Sequence, residues 1–97
     1  MNVAISTDAE QDLEESFWFY ERQSMGWGNY FRSCLISDIE SLAYFAGVHQ
    51  IVEGYFLSLA KRFPHGIDYE IREDTVVVVA VLDLRREPLW IRQRLSK

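Results

Sequence analysis

Seven consecutive apolar residues, Val76-Val77-Val78-Val79-Ala80-Val81-Leu82, constrain this chain more than any other feature. Valine at that density favours a strand, and the run is far short of the ~20 residues that cross a membrane. Side chains along a strand alternate between its two faces. Alternation puts Val76, Val78, Ala80 and Leu82 on one side and Val77, Val79 and Val81 on the other. Neither side is polar, whereas an antiparallel sheet backed on one face usually shows water a polar second face. The run therefore predicts a strand covered twice. Helices supply one cover. The second is either the chain's own tail, with Leu89, Trp90 and Ile91 folding back, or another protein.

The remaining segments supply the partners of that strand. Asn2–Ser6 reads as a short strand at an edge. Thr7-Asp8-Ala9-Glu10 fits a capping box, and Ala9, Leu13, Phe17 and Tyr20 step along one helical face that fades near Gln23–Ser24. Gly26-Trp27-Gly28 breaks the pattern, with Trp27 expected to wedge between helices. A second helix is predicted over 29–46 with the stripe Phe31, Leu35, Ile39, Leu42 and Phe45, and Gly47 ends it. Strands are expected at Tyr55–Phe63, Ile67–Arg72 and Thr75–Leu84, with His65-Gly66 as a turn or bulge and Glu73-Asp74 as a tight hairpin loop. Pro88 starts one or two helical turns over Leu89–Leu95. The expected fold class is α+β: an N-terminal short strand and an antiparallel helical hairpin packed on a three- to four-stranded antiparallel sheet. Residues 1–97 make one domain.

Charge and cysteine content narrow the functional classes. The net charge is −5, which argues against a general nucleic-acid binder. The distribution is uneven: residues 1–53 hold nine acids and two bases, while the last fourteen residues hold five bases and one acid. A site is expected at the basic tail. A single cysteine, Cys34, forbids an intrachain disulfide and reads as a small core residue. The acidic N-terminal stretch lacks the apolar segment of a signal peptide, so a cytoplasmic location is expected. Two histidines and one cysteine show no ligand spacing, so neither a metal nor a cofactor is expected. His65 reads as a solvated turn residue, and Asp68 with Glu70 as the wet side of a hairpin. Arg85 and Arg86 follow the last strand, where loops beside a rigid sheet often carry sites, and Arg92 and Arg94 with Trp90 extend a basic, aromatic patch. The plainer alternative is a solvated tail pairing with Glu14 or Glu15.

Several stretches together resemble the RelE/ParE superfamily of bacterial type II toxins, in its ParE-like, plasmid stabilisation branch. They are Ala9-Glu10-Gln11-Asp12-Leu13, Phe19-Tyr20-Glu21, Gly26-Trp27-Gly28 with Phe31, Lys61 through Ile71, Val78 through Leu82, Arg85-Arg86-Glu87-Pro88, and Trp90. The resemblance spans Ala9 to Arg94. It implies a toxin neutralised by a cognate antitoxin, in a dimer or heterotetramer, with DNA gyrase as the target. Two alternatives stay open: a RelE-like ribosome-dependent endoribonuclease acting on mRNA, and a non-toxic toxin-fold binding module. Asp83 stands where the family often has histidine, and no tyrosine follows Tyr69, which places the ribonuclease second and inhibition by protein binding first. The target-binding candidates are Lys61, Arg62, Arg72, Arg85, Arg86, Trp90, Arg92 and Arg94. The antitoxin-facing candidates are Trp18, Phe19, Trp27, Val77, Val79 and Val81.

Overall fold

A computed structural model describes residues 1–96. The elements are β1 (Asn2–Ile5), α1 (Thr7–Gln23), α2 (Trp27–Glu40), α3 (Leu42–Phe45), β2 (Ile51–Val52), β3 (Tyr55–Leu59), β4 (His65–Arg72), β5 (Thr75–Asp83) and α4 (Pro88–Leu95). The fold is α+β, but the sheet has five strands in the order β1-β5-β4-β3-β2. This corrects the three- to four-stranded antiparallel expectation twice. Ile51–Val52 adds a two-residue strand joined to β3 by the turn residues Glu53 and Gly54, both with positive φ, the geometry of a type I′ turn. The β1 strand pairs with β5 in parallel, the two being joined by a long crossover through three helices and three strands. Among the described residues, no helix is long and apolar enough to cross a membrane.

The apolar run is β5, between β1 and β4. Its simple alternation fails at a β-bulge. Asp68 pairs with Ala80 and Tyr69 with Val78, so Val79 is the extra residue. Before the bulge, Val76 and Val78 face the helices; after it, Val81 does, while Ala80 and Leu82 face α4. Val81 is 1% exposed under the helices, which corrects its placement with Val77 and Val79 on an outward face. The main core gathers Ala9 and Leu13 of α1, Phe31, Leu35 and Ile39 of α2, and Ile67, Tyr69, Val76, Val78 and Val81 of the sheet. The tail supplies the second cover: Leu95 is buried against Tyr55, Ala80 and Leu82, with Trp90 and Ile91 beside it. Leu89 points away and stays exposed.

The β1 pairing stops at Val78, leaving the β5 edge beyond it open. Polar side chains replace the missing strand. The Ser6 hydroxyl donates to the Val79 carbonyl at 3.4 Å, and the Asp12 carboxylate accepts from the Val81 N–H at 3.0 Å. Asp12 also binds Arg94 at 2.7 Å, which ties α4 to α1. One buried carboxylate thus joins helix, strand edge and tail.

Local details shift the predicted boundaries. Ser6, not Thr7, caps α1 by accepting from the Ala9 N–H at 3.1 Å. With Ser6 at the cap, Ala9 occupies the third helical position, so no capping box forms with Glu10. The Ser41 hydroxyl donates to the Asp38 carbonyl at 2.6 Å. That local bond competes with the helix ladder and ends α2, so Phe45 falls on a separate turn and is 60% exposed. The β3 strand ends at Leu59, where the Ala60 N–H reaches the His65 carbonyl and closes a 60–64 loop. Gly26 has φ +93 and precedes α2, and the Glu21 carboxylate accepts from both Gly26 N–H and Gly28 N–H at 3.0–3.1 Å. Trp27 does not wedge; it is 47% exposed, edge-on to Tyr30. Gly28 makes the close approach instead.

A β-carbon on Gly28 would lie 2.8 Å from the Phe17 carbonyl oxygen and 2.7 Å from its ring. The backbone cannot yield as a flexible side chain does. Gly28→Ala is expected to cost about 1–3 kcal/mol of stability, read as a lower urea midpoint at unchanged slope. An unchanged midpoint contradicts this packing.

Candidate functional site: a cleft between helix α1 and the end of strand β5

The cleft forms where the two covers of β5 meet at its C-terminal end. The outer flank of α1 contributes Glu15, Ser16, Phe19, Tyr20 and Arg22. The strands contribute His65 and Asp83, and the tail contributes Arg86 and Trp90. The cavity measures about 320 Å³. Its basic edge is built on an aromatic ring: the Arg86 guanidinium lies 3.6 Å above the Trp90 ring centroid. This cation–π contact holds the planar cation in place while leaving its edge free for hydrogen bonds. Pro88 opens α4, where its fixed φ suits the first helical position, and Trp90 lies in the first turn.

Asp83 and Arg85 form the neighbouring fixed pair. Arg85 binds both Asp83 oxygens, with Nε at 3.0 Å and an Nη at 2.7 Å, and its backbone N–H adds a bond at 2.8 Å. These bonds from Arg85 hold the Asp83 carboxyl below its ordinary range, so Asp83 is an anion clamped by its own neighbour. Burial raises Tyr20, and the adjacent Arg85 charge opposes that rise.

His65 lies at the floor of the cleft and is only 2% exposed. Its Nε2 is 3.3 Å from the Ser16 hydroxyl, and the Phe31 ring packs against it at 4.9 Å. This corrects the reading of a solvated turn residue: His65 opens β4, opposite Asp83. Burial lowers its pKa to about 4, although the Asp83 charge pulls the other way. At neutral pH it is therefore an uncharged ring with Nδ1 enclosed and unpaired. It shapes the floor without presenting a proton to the cleft.

The sequence-predicted target-binding residues divide into four places. Arg85, Arg86 and Trp90 meet at the cleft. Lys61 and Arg62 lie on the 60–64 loop beside α2, where Asp38 accepts the Lys61 N–H at 3.0 Å and Arg62 reaches Tyr30 and Cys34. Arg72 is at the opposite end of β4 and pairs with Glu70. Seven strand steps put it roughly 23 Å from His65. Arg92 and Arg94 are tethers: Arg92 binds Glu53 at 3.3 Å, and Arg94 binds Asp12. Neither pairs with Glu14, which Arg32 takes at 3.2 Å. Sequence reasoning missed Ser16, Tyr20 and Arg22. Arg22, one of two bases in the acidic half, was the available signal. Among the described residues, no cluster of three His, Cys, Asp or Glu side chains could hold a metal.

The antitoxin-facing candidates also divide. Trp18, Phe19 and Trp27 are exposed on the helical hairpin, Val77 and Val79 are half-buried, and Val81 is inside. Asp68, read from the sequence as wet, is 4% exposed on the α4 side of the sheet. Burial first, and then the Asp12 charge, push its pKa up to about 7 from 3.8.

An acid with a raised folded-state pKa favours folding at low pH, and this contribution is lost as pH rises through about 7. His65 has the opposite sign: the cost of charging it appears as pH falls below 6.5 and is complete near 4. The two trends oppose each other, so the whole-chain profile is muted and a variant isolates one of them. Asp68→Asn is expected to gain stability relative to the natural chain as pH rises from 4 to 7, by up to about 1.4 kcal/mol per pH unit. Thermal melts across that range would show the widening gap, and a gap independent of pH contradicts the buried charge.

No protein-family model matches the sequence, and no curated protein is similar to it. Among solved structures, a chain of the "Chromosomal ParDE TA system from P. aeruginosa" superposes with a TM-score of 0.80 at 13% identity. The match covers 88% of this chain and 97% of that one. At that identity the likeness establishes a shared fold, the one that the sequence resemblance implies.

Proposed function

We propose that the chain is the toxin of a type II toxin–antitoxin module, neutralised by a cognate antitoxin and acting by binding, with DNA gyrase as its target. The observation that carries this reading is the shared fold with a chain of a ParDE system over most of both chains. The cleft supports binding over catalysis. Cleaving RNA without a metal requires a base for the 2′-OH and an acid for the leaving oxygen. Here the buried histidine is neutral with an enclosed Nδ1, Asp83 is clamped by Arg85, and Glu15 on the α1 flank accepts from Gln11. What the cleft presents is Arg86 stacked on Trp90, with Arg85 and Arg22 nearby. Planar guanidinium groups suit carboxylates on an acidic protein surface. The exposed aromatics Trp18, Phe19 and Trp27 give the antitoxin an apolar surface, while Val77 and Val79 of β5 are half-buried on the other face of the sheet. Val81 has no part in it.

Induced expression of the chain alone is expected to arrest growth, and the purified chain to inhibit supercoiling by gyrase. The Arg85→Ala, Arg86→Ala double variant is expected to weaken target binding at least tenfold, about 1.4 kcal/mol or more. Its melting temperature should fall only slightly, because the Arg85 and Arg86 side chains are exposed and Asp83 keeps the backbone N–H of residue 85. Cleaved transcripts at ribosomes with normal supercoiling would move the activity to RNA. Unimpaired growth would leave a binding module without toxicity.

A further inference from the structure

Asp68 takes no part in the cleft. It pairs with Leu57 of β3 on one side and Ala80 of β5 on the other, so the three residues form a row facing α4. Among the described residues, no hydrogen bond or ion pair reaches its carboxyl. Arg94, the cation that acts on it through space, is committed to Asp12 and the Asp8 carbonyl. The residue is 4% exposed, yet its carboxyl oxygens are not sealed and reach the space beside them.

The carboxyl borders an apolar cavity of about 240 Å³ between α4 and the sheet, walled by Leu57, Leu82, Leu84, Ile91 and Leu95. An apolar cavity of roughly 150 Å³ is enough to take up benzene, so this one has room for a ring with a substituent. Of the charged groups at its rim, Arg92 is bound to Glu53, while Arg86 stacks on Trp90 and keeps its hydrogen-bonding edge. Apolar walls with one unpartnered acceptor describe a ligand with an apolar body and a single donor. We propose that this cavity binds a small, mainly apolar phenol or alcohol whose hydroxyl bonds to the Asp68 carboxyl. The two rim arginines disfavour an ammonium head, and Asp68 itself disfavours a carboxylate head. A hydroxyl can donate to Asp68 as the anion and accept from it as the acid, so it suits either state. Arg86 lines both this cavity and the cleft, so a molecule bound here touches the group proposed to meet the target.

Titrating the full chain with phenol and with toluene, followed by amide NMR shifts, tests the site. Phenol is expected to shift Asp68, Leu82, Ile91 and Leu95 saturably, and toluene to bind at least tenfold more weakly. In Asp68→Val, which replaces the acid by an apolar group of similar shape, phenol should lose that tenfold advantage. Equal binding of the two molecules to the natural chain overturns the proposal, as do shifts confined to other residues or no saturable shift. A preference for phenol that survives in Asp68→Val overturns it too.

Discussion

A central strand without a polar face is the constraint on which the rest of this structure depends. Every residue of β5 from Val76 to Leu82 is apolar, and exposing either face would cost roughly 25 cal/mol for each Å² left in water. The helical hairpin covers one side. The other side is closed by an eight-residue helix at the end of the chain. The bulge at Val79 divides the strand between these covers, because it moves Val81 to the helices and leaves Ala80 and Leu82 to α4. The same bulge lies where β1 stops pairing, so the open backbone there is satisfied by Ser6 and Asp12 instead of a strand.

The cleft follows from that arrangement. Two covers on opposite faces of one strand must leave a seam at its end, and residues of both line the seam. Tyr20 and Arg22 come from α1; Arg86 and Trp90 come with the tail. Burial also sets the chemistry available. His65 is under the helices and stays neutral; Asp68 is under α4 and resists ionisation. Asp83, at the partly solvated end of the strand, keeps its charge because Arg85 holds it. What reaches solvent there is Arg22, Arg86 and Trp90, with Glu15 on the α1 flank and Asp83 held by Arg85.

Most of the elements were legible in the sequence because their signals are local. Apolar stripes mark α1 and α2, Gly47 marks the stop after α3, and Pro88 marks the start of α4. The non-local features were not. The bulge arises from pairing with β4, and the valines carry no mark of it. Parallel pairing of β1 leaves no trace in the alternation of Asn2–Ser6. Ser6 and Thr7 are adjacent hydroxyls, and the choice between them is made with Val79, far along the chain. Proline beside His65 suggested a turn, but its strand position follows from Asp83 across the ladder. For the site, Arg85, Arg86 and Trp90 were readable as a group because they are close in sequence. Arg92 and Arg94 looked like members of that group, yet their partners are 39 and 82 residues away.

The double cover of β5 depends on the contact of Arg94 with Asp12, since Asp12 in turn holds the Val81 amide. Amide hydrogen exchange in the natural chain and in Arg94→Ala tests this most directly. Releasing Arg94 is expected to accelerate exchange at Val81 at least tenfold while Val76 and Val78, paired within the sheet, keep most of their protection. Unchanged exchange at Val81, or the same acceleration along the whole of β5, would contradict a local latch between tail and strand.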